Sequence, residues 1–385
     1  MRVLICTYPT ASDIFSTVPL AWALRAAGHD VLYAGGGNGM RDSAGAGLPY
    51  ADLAAPDADL AAPFTRRSQH AGSGQLVWYR GGELQEADIK AAVELFAELS
   101  DLVADGAVEL ARRWRPDLVV GTDIQGAGAL AATAVGAPLV SLTTLLAIVP
   151  DMVQRLRHAL AEAYDRHGVV GEPPEIDRLR TTPPSLNRID GGHGLLRHVP
   201  YNGSHLALGA LPDWLTRPPR RARVALTLGT FVPKYGGLAL LDDLMAELAA
   251  VDAEFVLALG DVDRDRLPVL PPNVRAEGWV PLNTLLSTCT AIVHHGGSGT
   301  TLTALAAGVR QIILPQGSDQ HFTAHAVAAR GAGVSTTSRH VTAELITTTL
   351  DSAAIGRATA EIRDEIAAMP SPADVARTLH ARHAH

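Results

Sequence analysis

Apolar residues fall along this chain in two registers. Short unbroken apolar runs alternate with stretches in which apolar residues return every three or four positions. Arg2–Thr7 is such a run and predicts a buried strand. Thr17–Ala27 places Val18, Leu20, Ala21, Leu24 and Ala27 on one side and predicts a helix, with Gly28 as its stop. Val31–Ala34 predicts the next strand. Strand, helix, glycine turn and strand make the unit of a parallel sheet. The unit recurs at Asp117–Val120, Ala127–Val135 and Pro138–Leu142. Tyr201–Arg220 is dense in Gly, Pro and Arg and predicts a linker. A second series follows it: strand Val224–Leu228, helix Leu238–Ala250, strands Glu254–Leu259 and Val274–Glu277, helix Leu282–Ser287, strand Ala291–Val293, helix Gly299–Ala307 and strand Gln311–Leu314. The tail Ala354–His385 predicts two helices broken at Pro370 and Pro372.

This pattern predicts an α/β chain of two parallel-sheet halves facing a cleft, with ligands at the carboxyl ends of the strands. Two stretches fit no period. Asp57–Gly82 is polar, broken by Pro and Gly, and carries Trp78 and Tyr79; it reads as a long surface excursion. Thr144–Arg166 starts apolar and turns into a polar helix. Both are expected to wall the cleft.

Length and composition agree with a two-domain globular chain. There are 385 residues, 47% of them apolar and 19% charged. The net charge of −8, with no basic block, argues against nucleic-acid and membrane partners. Cys6 and Cys289 each lie beside an apolar run and read as core residues in a reducing, cytoplasmic protein. The opening run is too short for a signal peptide, and no 18-residue apolar span follows. A homodimer is compatible with all of this.

Chemistry concentrates in Val293-His294-His295-Gly296-Gly297-Ser298-Gly299-Thr300. A strand ends in two histidines, then a glycine turn, then a helix. Glycines let backbone approach a ligand, and free amides at a helix start favour an anion. His295, Ser298 and Thr300 add donors. The spacing is neither that of a P-loop nor of the dinucleotide fingerprint. In a parallel sheet, three more segments converge there. Leu228-Gly229-Thr230 offers a close-approach glycine and a hydroxyl. Gly278-Trp279-Val280-Pro281 offers a plane for stacking on a base. Asp319 and Gln320 form an acid–amide pair suited to sugar hydroxyls. Each has a plainer reading as a turn, a core Trp or a helix cap; their joint order carries the argument.

The block Val274–Gln320 resembles the donor-binding signature of the two-domain inverting glycosyltransferases that decorate natural products. Val199-Pro200-Tyr201, Leu257–Asp261 and Val293–Thr300 are most similar to the enediyne glycosyltransferases of the calicheamicin type. The resemblance implies the GT-B fold, with the acceptor on the N-terminal domain and the donor on the C-terminal one. On this reading residues 1–200 bind acceptor, 201–220 link, 221–370 bind donor, and 371–385 form a C-terminal helix packing back on the first domain. It implies a dTDP- or UDP-sugar as donor substrate, no cofactor and no metal. Asp261-Val262-Asp263 is the one Asp-x-Asp considered for a cation, and it lies in a polar loop. The histidines His380, His383 and His385 are not expected to bind metal, because the local sequence supplies no acidic partner. By the same resemblance His295, Gly297, Ser298, Gly299, Thr300 and Thr230 hold the pyrophosphate, Trp279 and Val280 the base, and Asp319 and Gln320 the sugar.

One departure stands at the catalytic position. The family's general-base His, aligned on Val18-Pro19-Leu20-Ala21-Trp22, is Asp13 here. Ser16 and Arg310 replace prolines of the pattern. Three accounts fit. Asp13 is the base, which requires burial to raise its pKa. Or the acceptor is itself nucleophilic, as a hydroxylamine, phenol or aromatic carbon is. Or another residue serves, with Asp123 and His70 as candidates. Helix capping is the plain alternative for both Asp13 and Asp123. Asp13 with a nucleophilic enediyne or aromatic acceptor is the preferred account. A nucleotide-sugar epimerase of the same fold, or a non-catalytic nucleotide-binding partner protein, are the alternatives.

Overall fold

Uninterrupted apolar runs become interior strands, because only a strand covered on both faces can bury every side chain. The computed structural model describes residues 1–8, 10–37, 44–55, 58–70, 85–187, 192–203, 211–229, 238, 240–260, 262–317 and 319–384. They contain two sheets, each parallel throughout. The first is built from β1 (Arg2–Cys6), β2 (Asp30–Gly35), β3 (Tyr50–Asp52), β4 (Leu118–Thr122), β5 (Leu139–Thr143), β6 (Ile176–Arg180) and β7 (Gly194–Leu195), in the order β3-β2-β1-β4-β5-β6-β7. The second is built from β8 (Arg223–Thr227), β9 (Glu254–Ala258), β10 (Val274–Glu277), β11 (Ala291–His294), β12 (Arg310–Ile313) and β13 (Gly333–Ser335), in the order β10-β9-β8-β11-β12-β13. In each sheet the order reverses once, between β1 and β4 and between β8 and β11. Chains leaving these neighbouring strands turn to opposite faces and open a crevice at the carboxyl edge.

Successive side chains of a strand serve opposite faces. In β1, Leu4 and Cys6 pack one way and Val3 and Ile5 the other. The first face is covered by α3 (Glu86–Trp114), α4 (Gly126–Val135), α5 (Met152–Ala159) and α6 (Ala161–Arg166), and the second by α1 (Ala11–Ala26). The helix α2 (Ala62–His70) lies within the Asp57–Gly82 stretch, so part of that excursion has structure of its own; residues 71–84, with Trp78 and Tyr79, lie outside the described residues. The second sheet is covered on one face by α8 (Leu240–Ala249) and α12 (Ala343–Asp351). Its other face carries α7 (Asp213–Thr216), α9 (Leu282–Leu286) and α10 (Ser298–Ala306). Leu215 of α7 is buried there, so the expected linker holds a docked turn of helix.

The halves meet through apolar contact. Leu146 and Leu186 of the first pack with Leu302, Leu305 and Ile313, with α11 (Gln320–Ala329) and with α13 (Ala353–Ala368). The last helix, α14 (Pro372–His383), starts with a capping box between Ser371 and Asp374. Its Val375, Ala376 and Leu379 lie against Ile14, Val18 and Leu24 of α1. Among the described residues no helix is long and apolar enough to cross a membrane. Helix α1 begins at Ala11, six residues before the predicted start, because Ile14 is wholly buried and extends the apolar face past Ser12 and Asp13. Asp13 thus lies inside the first turn and not at a cap.

Candidate active site

The second crevice lies at the ends of β8 and β11. Strand β11 is buried to its last residue, His294. The Gly296 amide donates to His294 Nδ1 at 3.1 Å, and His294 Nε2 lies 2.9 Å from Gln311 Oε1. An amide can only donate, so Nδ1 is unprotonated and Nε2 gives its proton to Gln311. Burial, reinforced by the neighbouring His295, pushes the His294 pKa down to about 3. His294 is therefore a neutral staple that ties the glycine turn to β12. This role is invisible in a pair of adjacent histidines.

His295 points the other way and is 7% exposed. Burial lowers its pKa to about 4, with the Thr227 carbonyl pulling upward. Its Nδ1 makes no hydrogen bond within ordinary limits. Two glycines frame the ring. A Cβ on Gly297 would stand 2.5 Å from Nε2, and one on Gly229, whose φ is +68°, 2.5 Å from Cε1. Backbone alone fits around this imidazole. Helix α10 begins next, with Gly297 in the capping position and, among the described residues, no side chain satisfying its first amides. Those amides and the helix dipole make an anion site. Gly299 is exposed, and among the described residues a Cβ there would meet nothing within 4 Å.

The other donor-side residues gather around this turn. Ser298 donates to Asp319 Oδ2 at 3.2 Å and accepts from the Leu146 amide at 3.2 Å. Gln320 Oε1 accepts from the Gln316 amide at 2.8 Å. Trp279 donates its indole N–H to the Asn202 carbonyl at 3.0 Å and meets Phe15 edge-on at 6.3 Å. The Val280 side chain is buried in the core with Leu285 and Ile292, which leaves its backbone for any contact with a base. Thr230 lies outside the described residues.

The first crevice presents two buried carboxyl groups. Asp13 is 6% exposed; its Oδ2 accepts from the Tyr8 amide at 2.7 Å and from the Thr122 hydroxyl at 3.2 Å. Burial raises its pKa to about 7, opposed by those hydrogen bonds and assisted by the charge of Asp123. Asp123 is 8% exposed; its Oδ2 accepts from Thr143 at 2.9 Å, and its Oδ1 is buried without a partner. Burial lifts it to about 6. Asp123 follows β4 directly, and Asp13, in the first turn of α1, is tied to the segment leaving β1 through the Tyr8 amide, so both lie at the switch point of their sheet. The Leu146–Ser298 and Phe15–Trp279 contacts bring the two crevices face to face.

Other candidates fall elsewhere. Asp263 caps a short turn by accepting from the Asp265 amide, and Asp261 lies outside the described residues. Nothing is described of the His70 side chain. Contrary to expectation, the C-terminal histidines have acidic neighbours: Glu175, just before β6, and Asp177 of β6 face His383 from two hundred residues earlier in the chain. Arg382 already pairs with both carboxylates. His29 is buried and stacks on His380 at 5.1 Å.

Residues 22–229 match the N-terminal domain, and residues 242–382 the C-terminal domain, of the erythromycin biosynthesis protein CIII-like family. The elloramycin glycosyltransferase ElmGT of Streptomyces olivaceus is 40% identical over 382 residues, covering 99% of this chain and 97% of that one. The solved glycosyltransferase SnogD from Streptomyces nogalater superposes with a TM-score of 0.85 at 42% identity, covering 100% of this chain and 99% of its own. The spinosyn rhamnosyltransferase SpnG, solved with thymidine diphosphate, gives 0.81 at 30% identity and covers 99% of this chain and 100% of its own. The chain belongs to the erythromycin CIII-like family of antibiotic glycosyltransferases and has their GT-B fold. Two of these relatives are named for elloramycin and spinosyn and none for an enediyne, so the expected closeness to calicheamicin enzymes is not shown.

Proposed function

We propose that this family member is an inverting, metal-independent transferase that moves a deoxyhexose from a dTDP-sugar to an antibiotic aglycone. Thymidine diphosphate in SpnG supports dTDP over UDP. The relative named for elloramycin supports an acceptor of that kind over an enediyne. Residues 1–200 would hold the aglycone, 221–370 the donor, with 201–220 between them and 371–385 returning to the acceptor half.

The chemistry follows from the two crevices. The diphosphate lies at the mouth of α10, against the amides of Gly297, Ser298, Gly299 and Thr300, and Thr230 is the further phosphate contact expected from the sequence. Trp279 and the Val280 backbone hold the base; Asp319 and Gln320 hold the sugar. The acceptor hydroxyl attacks the anomeric carbon from the Asp13 side. Its proton passes to Asp13, and the bond to the diphosphate breaks with its electron pair on the departing phosphate oxygen. Burial, assisted by the charge of Asp123, keeps the proton affinity of Asp13 high. His295 and the helix amides stabilise the charge that leaves, where other enzymes use a cation.

The observation that carries this reading is geometric: the Asp13 carboxyl, 6% exposed and held by the Tyr8 amide and the Thr122 hydroxyl, stands at a crevice facing the glycine-capped start of α10, and its burial lifts its pKa toward neutrality. A base near neutrality serves an ordinary hydroxyl or phenol, so a hydroxylamine acceptor is not required. It also speaks against a non-catalytic partner protein, whose acidic residue would need no tuning. The test is calorimetric titration with dTDP in EDTA, followed by transfer assays with dTDP-deoxysugars. Tight binding and transfer without metal are expected. Binding that needs a divalent ion would overturn the reading, and nucleotide release without acceptor would point to the epimerase.

A further inference from the structure

We propose that Ser298 is a positioning residue: it carries the placement of the acceptor-side loop at Leu146 to the Asp319 carboxylate, and so governs the hold on the donor's sugar ring rather than on its diphosphate. The inference rests on the reading above, in which Asp319 meets the sugar.

The direction of each hydrogen bond is fixed by chemistry. The Leu146 amide can only donate, so Ser298 Oγ accepts from it at 3.2 Å. The hydroxyl has one proton, and that proton goes to Asp319 Oδ2 at 3.2 Å. Ser298 is 6% exposed, so water competes poorly for either bond. The loop on the other side is held firmly. The Leu146 carbonyl accepts from the Asn187 amide at 2.8 Å, and the Leu145 carbonyl from the Thr182 hydroxyl at 3.3 Å. The Leu146 side chain is wholly buried with Leu302 and Ile313 of the donor half. Thr144–Arg166, which contains this loop, is a proposed wall of the acceptor pocket. A shift of that wall cannot leave Ser298 in place, and a shift of Ser298 turns the Asp319 carboxylate. The sequence suggested a hydroxyl for the phosphates; the structure gives that hydroxyl another partner and leaves the Ser298 amide for the anion.

The two uses separate experimentally. In Ser298→Ala the KM for a dTDP-sugar is expected to rise about tenfold, the effect of losing a hydrogen bond to a charged group, while the Kd for dTDP itself changes less than about twofold. Asp319→Ala should show the same split, because it removes the acceptor of that bond from the half-buried side. The double variant should be no worse than the poorer single one, since both remove one interaction. Equal weakening of dTDP and dTDP-sugar, or additive single effects, would overturn the relay. Failure of the unaltered protein to bind dTDP at all would instead sink the reading on which the relay rests.

Discussion

Asp13 should be a residue that the fold holds at a cost to its own stability. Burial pushes its carboxyl from the ordinary aspartate value of 3.8 up to about 7 in the folded chain. A rise of about three units, at about 1.4 kcal/mol each, is a penalty of up to about 4 kcal/mol on the ionised folded state. The sign follows from proton counting. Between those two values the folded chain keeps a proton that the unfolded chain has released, so stability falls as pH rises and the penalty is complete above about pH 7. Asparagine at this position removes the charge and keeps an oxygen for the Tyr8 amide and the Thr122 hydroxyl. Asp13→Asn is therefore expected to gain roughly 2–4 kcal/mol of stability near pH 8 and much less near pH 5. Turnover should fall roughly a hundred- to ten-thousand-fold, the worth of a general base. In the unaltered enzyme kcat/KM should rise with pH and level off above about 7, as the base loses its proton. Urea unfolding at the two pH values, beside initial rates with saturating substrates, measures both sides. A variant that keeps its rate refutes the base; one that gains nothing near pH 8 refutes the electrostatic argument beneath it.

Three further outcomes follow from the donor crevice. His295→Ala should weaken dTDP binding about ten- to hundredfold, with no rescue by added magnesium, as titration calorimetry would show. Gly297→Ala should lose donor binding, because its Cβ would stand 2.5 Å from His295 Nε2, whereas Gly299→Ala, with nothing within 4 Å, should fold at least as stably and gain up to about 1 kcal/mol from helix propensity in thermal unfolding. Gln311→Leu should strand the buried His294 Nε2 proton, cost about 1–3 kcal/mol of stability, and loosen the glycine turn enough to raise the KM for donor.

Much of the fold was legible because its signals are local. Val224–Leu228 and Ala291–Val293 are apolar runs bounded by glycine or polar turns, and they are strands in the structure within a residue or two. The start of α1 differs from the predicted one because Ser12 and Asp13 look like a cap, while the cluster that buries Ile14 is drawn from β1, β4, β5 and α14, mostly far from it in sequence. Helix α3 and strand β6 were not anticipated: Glu86–Trp114 mixes charges into its apolar stripe, and Ile176–Arg180 carries Asp and Arg because it lies near the sheet's edge. The site showed the same division. A glycine turn between strand and helix announces an anion site by composition alone. The task of His294 depends on Gln311, and that of Ser298 on Leu146; such partners meet only in the folded chain.

The two crevices use one physical device with opposite chemical results. Burial penalises charge, so it raises the carboxyl pKa of Asp13 and lowers the imidazole pKa of His295. Near neutral pH the resting site therefore holds a carboxyl ready to gain a proton and an imidazole without its positive charge. A bound diphosphate changes the second term only. Its negative charge raises the proton affinity of His295, and more so as the sugar–phosphate bond breaks and charge gathers on the leaving oxygen. The stabilisation is thus larger in the transition state than in the ground state, which is the condition for it to speed the reaction rather than merely tighten binding. A permanently charged residue at position 295 would hold substrate and leaving group with more equal strength. His295→Lys is accordingly expected to bind dTDP-sugar at least as tightly as the unaltered protein and to turn it over more slowly. A Lys variant with undiminished kcat would show that the imidazole's suppressed charge has no part in the reaction.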